Sequence, residues 1–240
     1  LNRRIERRMA IHAIETPALY AQFLRSNPQE TDLLFKELLI GVTSFFRDPQ
    51  AFEMLKTQVI PKLFEGKPPG STVRVWCTGC STGEEAYSIA ILLQEQLNVL
   101  RQNYKVQIFA TDIDSHAIAT ARSGVYPASI ARDISAERLE RFFTLENGDS
   151  AYRIHKSIRD MLVFSEHDLI RAPPFSRLDL ISCRNLLIYM DTELQKKLIP
   201  LFHYALKPEG MLFLGTSEGV GEFDALFSVI DRKSKVYRRE

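Results

Sequence analysis

Apolar side chains recur at helical spacing along the first part of the chain. The pattern predicts four helices, over residues 1–15, 16–26, 30–41 and 48–66. Asp48 stands directly before a proline, and this pair is typical of a helix start, so Asp48 is expected to cap the fourth helix. Gly41 is expected to end the third helix.

After the break "KPPGS" at residues 67–71, short β-rich runs alternate with helical stretches. Strands are predicted over 73–76, 106–114, 161–169, 178–183 and 210–215. Helices are predicted over 84–97, 191–206 and 115–124, the last opened by Ser115 and closed by Gly124. This alternation predicts a doubly wound α/β sheet that binds its ligand at the carboxyl ends of the strands.

The span 125–160 does not follow the alternation. A helix is predicted over "SAERLERFF", residues 135–143, followed by a small irregular or hairpin insertion that contains "ENGDS". The resulting organisation is a helical domain over 1–40, an interdomain segment and helix over 41–70, and an α/β domain over 71–240 with an inserted subdomain near 125–160.

Composition narrows the class of protein. The chain has 240 residues, 45% of them hydrophobic and 25% charged, and its net charge of +1 gives no global preference for nucleic acid. The longest apolar runs are far shorter than the roughly 20 residues of a membrane span, and the charged N-terminus lacks the pattern of a signal peptide. Three cysteines do not make a disulfide framework, which favours a cytoplasmic setting. Because the chain begins with Leu, a domain of a longer protein is expected.

The stretch "CTGCSTGEE" at residues 77–85 allows two interpretations. Cys77 and Cys80 have the spacing of a redox pair, but the third cysteine is Cys183, and no second pair at zinc spacing exists. The pair also lies several residues before the predicted helix start, where a redox motif would not normally be. Small cysteines packed in a tight turn are the favoured interpretation, and no metal is expected.

The second interpretation is a ligand loop between a strand and a helix. Gly79 and Gly83 let the backbone approach a ligand, but the Lys of a phosphate loop is absent. Glu84 and Glu85 occupy the helix start and would repel a pyrophosphate. Asp112 ends the second strand, where a carboxylate can accept both ribose hydroxyls. S-adenosylmethionine, which has no phosphate, suits this loop. The alternatives are dipole complementation for the glutamates and a helix cap for Asp112.

Several motifs together resemble one family. They are "TSFFRD" (43–48), "CSTGEEAYSIA" (80–90), "ATDID" (110–114), "ARSGVY" (121–126), "ISCRNLLIYMD" (181–191) and "LKPEGMLFLGTSE" (206–218). In their order and spacing they resemble the chemotaxis receptor glutamate methyltransferases, the CheR-type family. The resemblance implies a small all-helical domain, then a class I S-adenosylmethionine-dependent methyltransferase domain of Rossmann-like fold, with a small β-subdomain inserted at 125–160.

The resemblance also implies roles for individual residues. Cofactor contacts are implied for Thr43, Arg47, Gly79, Glu84, Glu85, Asp112, Asp168, Leu169, Arg184 and Asn185. Within that set Glu85 would lie near the methionine portion, Asp112 would hold the ribose, and Asp168 with Leu169 would bind adenine. Tyr189 matches the tyrosine beside the reactive methyl group, and Arg47 and Tyr189 are the implied catalytic residues. Gly41 departs from the family, which usually has Asn there, so a side-chain contact is lost.

The implied reaction is methyl transfer from S-adenosylmethionine to a glutamate carboxylate, with S-adenosylhomocysteine as product. A carboxylate with a pKa near ~4.3 is already ionised at neutral pH, so in-line displacement needs no general base. The implied partner is the cytoplasmic helical region of a chemotaxis-type receptor. Alternatives are a class I methyltransferase with another substrate, or a non-catalytic cofactor-binding signalling module.

The N-terminal arginines suggest how an acidic partner could be held. Residues 1–14 contain four Arg and one Glu, so a basic helical face could meet acidic receptor helices. The alternative is an ordinary solvated face. A monomer is favoured, and neither nucleic acid binding nor direct membrane insertion is expected.

Overall fold

The protein divides into two compact units, Leu1–Val42 and Thr43–Glu240. The computed structural model describes residues 2–38, 41–146, 148 and 150–240. The end of the predicted helix over 30–41 and part of the predicted "ENGDS" turn therefore lie outside the described residues. Among the described residues, none of the helices combines the length and the hydrophobicity that a membrane-spanning helix requires.

The first unit is helical, as the sequence predicts. Its helices are α1 (Asn2–Ile11), α2 (Pro17–Ser26) and α3 (Pro28–Leu38). The Thr16 hydroxyl accepts a hydrogen bond from the Leu19 N–H and so caps α2. Met9 and Tyr20 are buried, and so is the carboxylate of Glu30. A unit this small buries little apolar surface, so the bonds of that one carboxylate matter for its stability.

Glu30 of α3 is held by side chains from α1, from α2 and from His12, which follows α1. Its oxygens accept hydrogen bonds from the Arg8 guanidinium, from the Tyr20 hydroxyl at 2.6 Å, and make a 2.7 Å contact with His12 Nε2. The Arg8 hydrogen bonds hold the pKa of Glu30 down at about 2. Burial, together with the neighbouring Glu30, raises the pKa of Tyr20 to about 12. Arg8 is therefore mostly buried and engaged by Glu30, so it contributes little to a basic face on α1.

The Glu30 carboxylate predicts how the helical unit responds to acid. Its pKa is about 2 in the folded state and 4.5 ordinarily, so the unfolded chain binds the proton more tightly. The stabilisation is complete above pH 4.5 and is lost as the pH falls toward 2. Hydrogen-exchange protection factors of α1–α3, corrected for intrinsic rates, should fall between pH 6 and pH 3 in the wild type. Glu30→Gln should start lower and fall less, whereas Asp32→Asn, at an exposed position on α3, should follow the wild type. Parallel pH curves for the Glu30 variant and the wild type would contradict the assignment.

The second unit alternates helices and strands. In chain order they are α4 (Pro49–Met54), β1 (Thr72–Thr78), α5 (Glu84–Leu100), β2 (Lys105–Asp112), α6 (Ser115–Ser123), β3 (Val125–Pro127), α7 (Ala136–Phe142), β4 (Phe143–Glu146), β5 (Ala151–Ile154), α8 (Lys156–Arg159), β6 (Leu162–Glu166), β7 (Leu178–Cys183), α9 (Thr192–Ala205), β8 (Leu206–Leu214), β9 (Phe227–Asp231) and β10 (Val236–Arg239).

Within the described residues, seven strands form one sheet in the order β6-β2-β1-β7-β8-β10-β9. The strands from β6 to β8 are parallel, while β10 runs antiparallel to both β8 and β9. From β1 the chain builds outward through β2 to β6, and then crosses to β7 on the other side of β1. This reversal makes the carboxyl ends of β1 and β7 the topological switch point, where open α/β sheets bind their ligands. The predicted doubly wound fold is confirmed.

The irregular span 125–160 forms a small subdomain. Strands β3, β5 and β4 pair antiparallel in that order, with α7 leading into β4 and α8 following β5. Both the predicted helix and the predicted hairpin are present. The subdomain packs into the main core through Tyr126, Phe142 and Ile154, which are buried in the same hydrophobic cluster as β1 and α5.

Helix α6 begins at Ser115 and is closed by Gly124 as predicted, and Asp114 caps it by accepting from the His116 and Ala117 amides. Two other local sequence predictions are wrong. Asp48 precedes α4 but makes no side-chain capping hydrogen bond, because its carboxylate bonds a distant arginine instead. The long helix expected over 48–66 is α4 followed by a π-helical turn, Leu55–Val59, and a 3₁₀ turn. Strands β9 and β10 were not predicted.

Candidate functional site

The carboxyl ends of the parallel strands lie level with one another. Thr78 at the end of β1 is in register with Thr111 of β2 and with Cys183 of β7. Asp112 is in register with Glu166, and Cys183 with Leu214. The loops that follow these strands therefore begin at one edge of the sheet. They contain most of the site residues that the sequence predicts.

The loop after β1 needs its two glycines. Gly79 and Gly83 have φ values of 63° and 98°, in the left-handed region that favours glycine. A Cβ on Gly79 would lie 3.0 Å from Leu186 Cδ2, and one on Gly83 would lie 2.9 Å from the Cβ of Ala121. The loop therefore keeps a bare backbone beside the residues that follow β7.

Tyr126 of the inserted subdomain anchors the loop after β1. Its hydroxyl donates a 2.7 Å hydrogen bond to the Thr82 carbonyl, and burial raises the pKa of Tyr126 so that the hydroxyl stays protonated. A side chain on Gly83 would also come within 3.0 Å of this hydroxyl. The Tyr126 ring meets Phe45 edge-on at 5.0 Å, which connects the loop to the segment 43–48.

Asp112 joins the glycine loop to the end of β2. One carboxylate oxygen accepts from the Ser81 amide at 2.7 Å and the other from the Asp114 amide at 2.9 Å. Each oxygen has a further lone pair, so the half-buried carboxylate can accept two more hydrogen bonds. The alternative that Asp112 caps the following helix is wrong, because Asp114 does so.

The two glutamates at the start of α5 have separate environments. The Glu84 carboxylate accepts a 2.7 Å hydrogen bond from the Thr82 hydroxyl, and burial raises the pKa of Glu84. Glu85 accepts a 2.7 Å hydrogen bond from the Ser182 hydroxyl, and its side chain is only 14% exposed. The helix begins at Glu84 as predicted, with both acidic side chains in its first turn, where a phosphate would otherwise bind.

Arg184 is completely buried directly after β7. Its side chain is 0% exposed, and the guanidinium lies 2.6 Å from an Asp48 oxygen and 3.5 Å from a Glu85 oxygen. The guanidinium carbon stands 4.7 Å from the centre of the Phe213 ring and 5.2 Å from that of Phe52. Direct side-chain contact of Arg184 with a cofactor does not fit this burial. Its side chain instead fixes Glu85 and the segment before α4.

The segment from Thr43 to Asp48 has a strained backbone. Phe46 and Asp48, on either side of Arg47, have φ values of 49° and 62°, which cost non-glycine residues on the order of 1–3 kcal/mol each. The Phe46 N–H donates to the Ser88 hydroxyl of α5 at 3.0 Å, and Phe45 and Phe46 are buried. Thr43 and Arg47 are half-buried. The anchored flanks therefore fix the backbone from which Arg47 extends.

The loop after β7 presents Asn185 and Tyr189. Asn185 adopts a left-handed backbone with φ of 56°, and Tyr189 lies in a 3₁₀ turn with 57% of its surface exposed. Tyr189 is therefore not a core aromatic. The Glu218 carboxylate accepts hydrogen bonds from backbone amides of this loop. Sequence reasoning gave Glu218 no role, although it ends the quoted motif "LKPEGMLFLGTSE".

Asp168 and Leu169 follow β6 on the same edge. The His167 N–H donates to the Asp112 carbonyl at 2.9 Å, which places this loop beside the end of β2. One Asp168 oxygen accepts from the Ile170 and Arg171 amides, at 2.9 and 3.2 Å. Leu169 packs against the apolar cluster that contains Trp76.

The cysteines are structural. Cys77, Cys80 and Cys183 are free and buried, and burial raises the pKa of each thiol, so none has the low pKa of a reactive thiol. The cysteines of the pair are packing residues as interpreted, but only Cys80 lies in the tight turn, since Cys77 belongs to β1. Over the part of the chain that the structure describes, no group of three or more Cys, His, Asp or Glu side chains is placed to hold a metal ion.

Fold and site together define a class I S-adenosylmethionine-dependent methyltransferase domain preceded by an all-helical unit. Comparison with protein families gives the same result. Residues 41–236 match "CheR methyltransferase, SAM binding domain", and residues 1–39 match "CheR methyltransferase, all-alpha domain". The chain belongs to the CheR methyltransferase family.

Known relatives extend the comparison. The chain is 41% identical over 238 residues to a 104.1 kDa protein of Rhodobacter capsulatus, covering 99% of this chain and 25% of that protein. It is 35% identical to a chemotaxis protein methyltransferase of Pseudomonas putida, covering 74% and 66%, and 32% identical to one of Vibrio cholerae, covering 88% and 74%. The chain thus spans a quarter of the Rhodobacter protein and about two thirds to three quarters of the other two.

The residues at the site fit S-adenosylmethionine, the cofactor of this family. The glycine loop leaves its backbone open, and the Asp112 carboxylate has lone pairs for two hydroxyls. The carboxylates at the start of α5 disfavour a phosphate but tolerate a cationic ligand. The chain is therefore an S-adenosylmethionine-dependent methyltransferase of the CheR type.

Proposed function

We propose that this chain methylates glutamate side-chain carboxylates of a chemotaxis-type receptor and forms glutamate methyl esters. The observation that carries the proposal is the exposed Tyr189, held at the sheet edge where the glycine loop and Asp112 also lie. An exposed aromatic hydroxyl on a fixed loop can meet a macromolecular substrate. The matched relatives named as chemotaxis protein methyltransferases support a receptor as that substrate.

The residues proposed to hold the cofactor lie around the switch point. Asp112 accepts the ribose hydroxyls, and Asp168 with Leu169 binds the adenine. Ile113 is exposed beside Asp112 and offers an apolar surface to the same ring. Glu85 and the backbone of Gly79 and Asn185 face the methionine portion. Thr43 and Glu84 complete the proposed contacts, while the buried Arg184 acts through Glu85 and Asp48.

When bound, S-adenosylmethionine supplies an electrophilic methyl group on a sulfonium. The substrate carboxylate is ionised at neutral pH, so the protein need not remove a proton from it. Arg47 and the Tyr189 hydroxyl are proposed to orient that carboxylate, since fixed alignment of reacting groups is worth on the order of several kcal/mol. The strained, anchored backbone around Arg47 suits this positional role.

The helical unit is proposed to contact the cytoplasmic helical region of the receptor, which places the reaction in the cytoplasm. Arg7 is largely exposed, with a 3.3 Å ion pair to Glu37, and Arg3 lies one turn before it on α1. A basic surface of this kind can steer an acidic helix bundle. It is smaller than the sequence indicates, because Arg8 is held by Glu30.

Incubation with methyl-labelled S-adenosylmethionine and receptor cytoplasmic fragments tests the proposed function. We expect label on glutamate side chains that is released by mild base, as esters are. Tyr189→Phe should lower the turnover number by about 10- to 100-fold, because one orienting group is lost. Its dissociation constant for S-adenosylhomocysteine should stay within about threefold, since the ribose and adenine contacts remain.

Tyr204→Phe is the matched control, because Tyr204 is an exposed tyrosine on α9 that the proposal does not use. It should leave turnover unchanged. Base-stable label would show that another kind of group is methylated, and absence of label with every receptor fragment would contradict the proposed substrate class.

A further inference from the structure

We propose that Glu218 is a positioning residue that fixes the loop carrying Tyr189 for methyl transfer, an inference that rests on the proposed function. Glu218 lies three residues after Gly215, in the turn that follows β8. It is buried, and its carboxylate connects this turn to the loop that follows β7.

The Glu218 carboxylate accepts hydrogen bonds from several backbone amides at once. One oxygen accepts from the Gly215 amide at 2.6 Å and from the Asn185 amide at 2.9 Å. The other accepts from the Leu186 amide at 2.8 Å and from the Ile188 amide at 3.3 Å. An ionised carboxylate is an acceptor only, with lone pairs enough for these donors. Hydrogen bonds to a charged acceptor are stronger than neutral ones, so the loop is firmly held.

The carboxylate fixes the loop just before Tyr189's turn and within that turn. The bonded amides lie at the left-handed Asn185, at the next residue, and at Ile188 directly before Tyr189. The Leu186 side chain would also meet a Cβ on Gly79 at 3.0 Å, so the held loop packs against the glycine loop. Displacement of Glu218 should therefore move Tyr189 relative to the cofactor loop.

Gly215 is matched to this arrangement. A Cβ on Gly215 would lie 2.6 Å from the bonded Glu218 oxygen and 2.9 Å from the Asn185 amide nitrogen. Any side chain there would push the carboxylate off its donors. Gly219, in contrast, would bring a Cβ only to 3.5 Å from the Tyr237 hydroxyl, an ordinary contact. Gly215→Ala should therefore perturb the Glu218 carboxylate, and Gly219→Ala is the matched control that should not.

The chemistry predicts how substitution of Glu218 divides between binding and turnover. In Glu218→Gln an amide NH₂ must face backbone N–H donors, so at least one oxygen's hydrogen bonds are lost. The ribose and adenine contacts proposed for Asp112 and Asp168 belong to other loops, so of the proposed cofactor contacts only the one at Asn185 lies in the loop that Glu218 holds. Turnover should therefore suffer more than cofactor binding.

The test compares Glu218→Gln with wild type in the full chain, with receptor fragment as substrate. The turnover number should fall by about 10- to 100-fold, as expected when alignment is lost by about an ångström. KM for S-adenosylmethionine and the dissociation constant for S-adenosylhomocysteine should change by less than about threefold. When Glu218→Gln is introduced into the Tyr189→Phe variant, the additional fall in turnover number should be below about threefold. Glu218 acts through the Tyr189 hydroxyl, which that variant already lacks. Equal factors in both backgrounds, or unchanged turnover, would overturn the proposal.

Further arms separate this proposal from the proposed function and from misfolding. Hydrogen exchange at the Asn185, Leu186 and Ile188 amides should accelerate in Glu218→Gln while the strands keep wild-type protection. Unchanged exchange at these three amides would overturn the inference about Glu218, whatever the substrate is. A receptor that is not methylated would contradict only the proposed function. Gly215→Ala should reproduce the effects in milder form. Gly219→Ala and Glu222→Gln, the latter an exposed carboxylate paired with Lys196, should behave as wild type.

Discussion

Replacement of Asp112 by Ala should raise the dissociation constant for S-adenosylhomocysteine by about 100-fold or more. Two hydrogen bonds from ribose hydroxyls to a carboxylate contribute about 1.5–3 kcal/mol each, and 1.4 kcal/mol corresponds to tenfold in affinity. The same carboxylate also fixes the glycine loop through Ser81 and the β2 end through Asp114. Calorimetric titration measures the change directly and needs no methyl-accepting substrate.

Two further variants separate ribose binding from loop disorder. Asp112→Asn keeps the shape and one acceptor oxygen, so its affinity should lie between those of the wild type and Asp112→Ala. Asp114→Ala removes the α6 cap, which costs about 1 kcal/mol of stability, and should leave the dissociation constant within about threefold. If the Asp112 variants bind as tightly as Asp114→Ala, the ribose is held elsewhere.

The parts of the site that sequence predicts well are local in the chain. Gly79, Gly83 and the two glutamates belong to one strand–loop–helix unit, and Asp112 ends the next strand along. Spacing alone gives their order, and parallel pairing brings both strand ends to one edge. The role of Tyr189 came from the family resemblance. Its exposure could not be predicted from the hydrophobic pattern, because the apolar sequence around it is equally typical of a buried turn.

The parts that sequence reasoning missed depend on long-range pairing. Asp48 has every local sign of a helix cap, yet its carboxylate bonds Arg184, 136 residues away, with the backbone in a left-handed conformation. The fully buried Arg184 guanidinium needs a carboxylate partner, and leaving it unpaired would cost more than one helix cap, which is worth about 1 kcal/mol. Glu218 likewise accepts hydrogen bonds from backbone amides 30 to 33 residues earlier in the chain. Every residue type except proline has such an amide, so the sequence does not indicate the pairing. The strands β9 and β10 are short, at five and four residues, and neither shows the regular alternation of buried and exposed positions that marks a strand in sequence.

Arg184 connects two parts of the site that are distant in sequence, the segment before α4 and the start of α5. Its guanidinium joins the strained segment around Arg47 to Glu85 at the start of α5. Arg184 also directly follows β7, and the next residue, Asn185, is held by Glu218. Because the Arg184 side chain is fully buried, the cost of removing it depends on how far its partner carboxylates are shielded from water. Glu85 is only 14% exposed, whereas Asp48 is 39% exposed and keeps water on part of its carboxylate. Glu85 is therefore the partner that most needs the cation.

Arg184→Met should lower the free energy of unfolding by about 3–5 kcal/mol, the usual cost of leaving one member of a buried ion pair uncompensated. This is a large part of the roughly 5–15 kcal/mol that stabilises a typical domain, so the urea midpoint should shift strongly. Arg184→Lys should recover little, because an ammonium cannot span two carboxylates or stack its face on Phe213. Arg171→Met, at a side chain 88% exposed, should stay within about 0.5 kcal/mol of wild type.

A double variant distinguishes an unpaired charge from simple loss of packing. If the unpaired Glu85 carboxylate causes the instability, Glu85→Gln combined with Arg184→Met should be more stable than Arg184→Met alone, by about 1–3 kcal/mol, since a buried pair replaced as a whole is often tolerated. If lost packing against Phe52 and Phe213 is the cause, the second substitution should add to the first. Even the restored protein should transfer methyl groups poorly, because the Arg184 bridge from Asp48 to Glu85 is then missing and Glu85 no longer offers a charged carboxylate to the methionine portion. Recovery of both stability and turnover would show that the Arg184 bridge has no positional role.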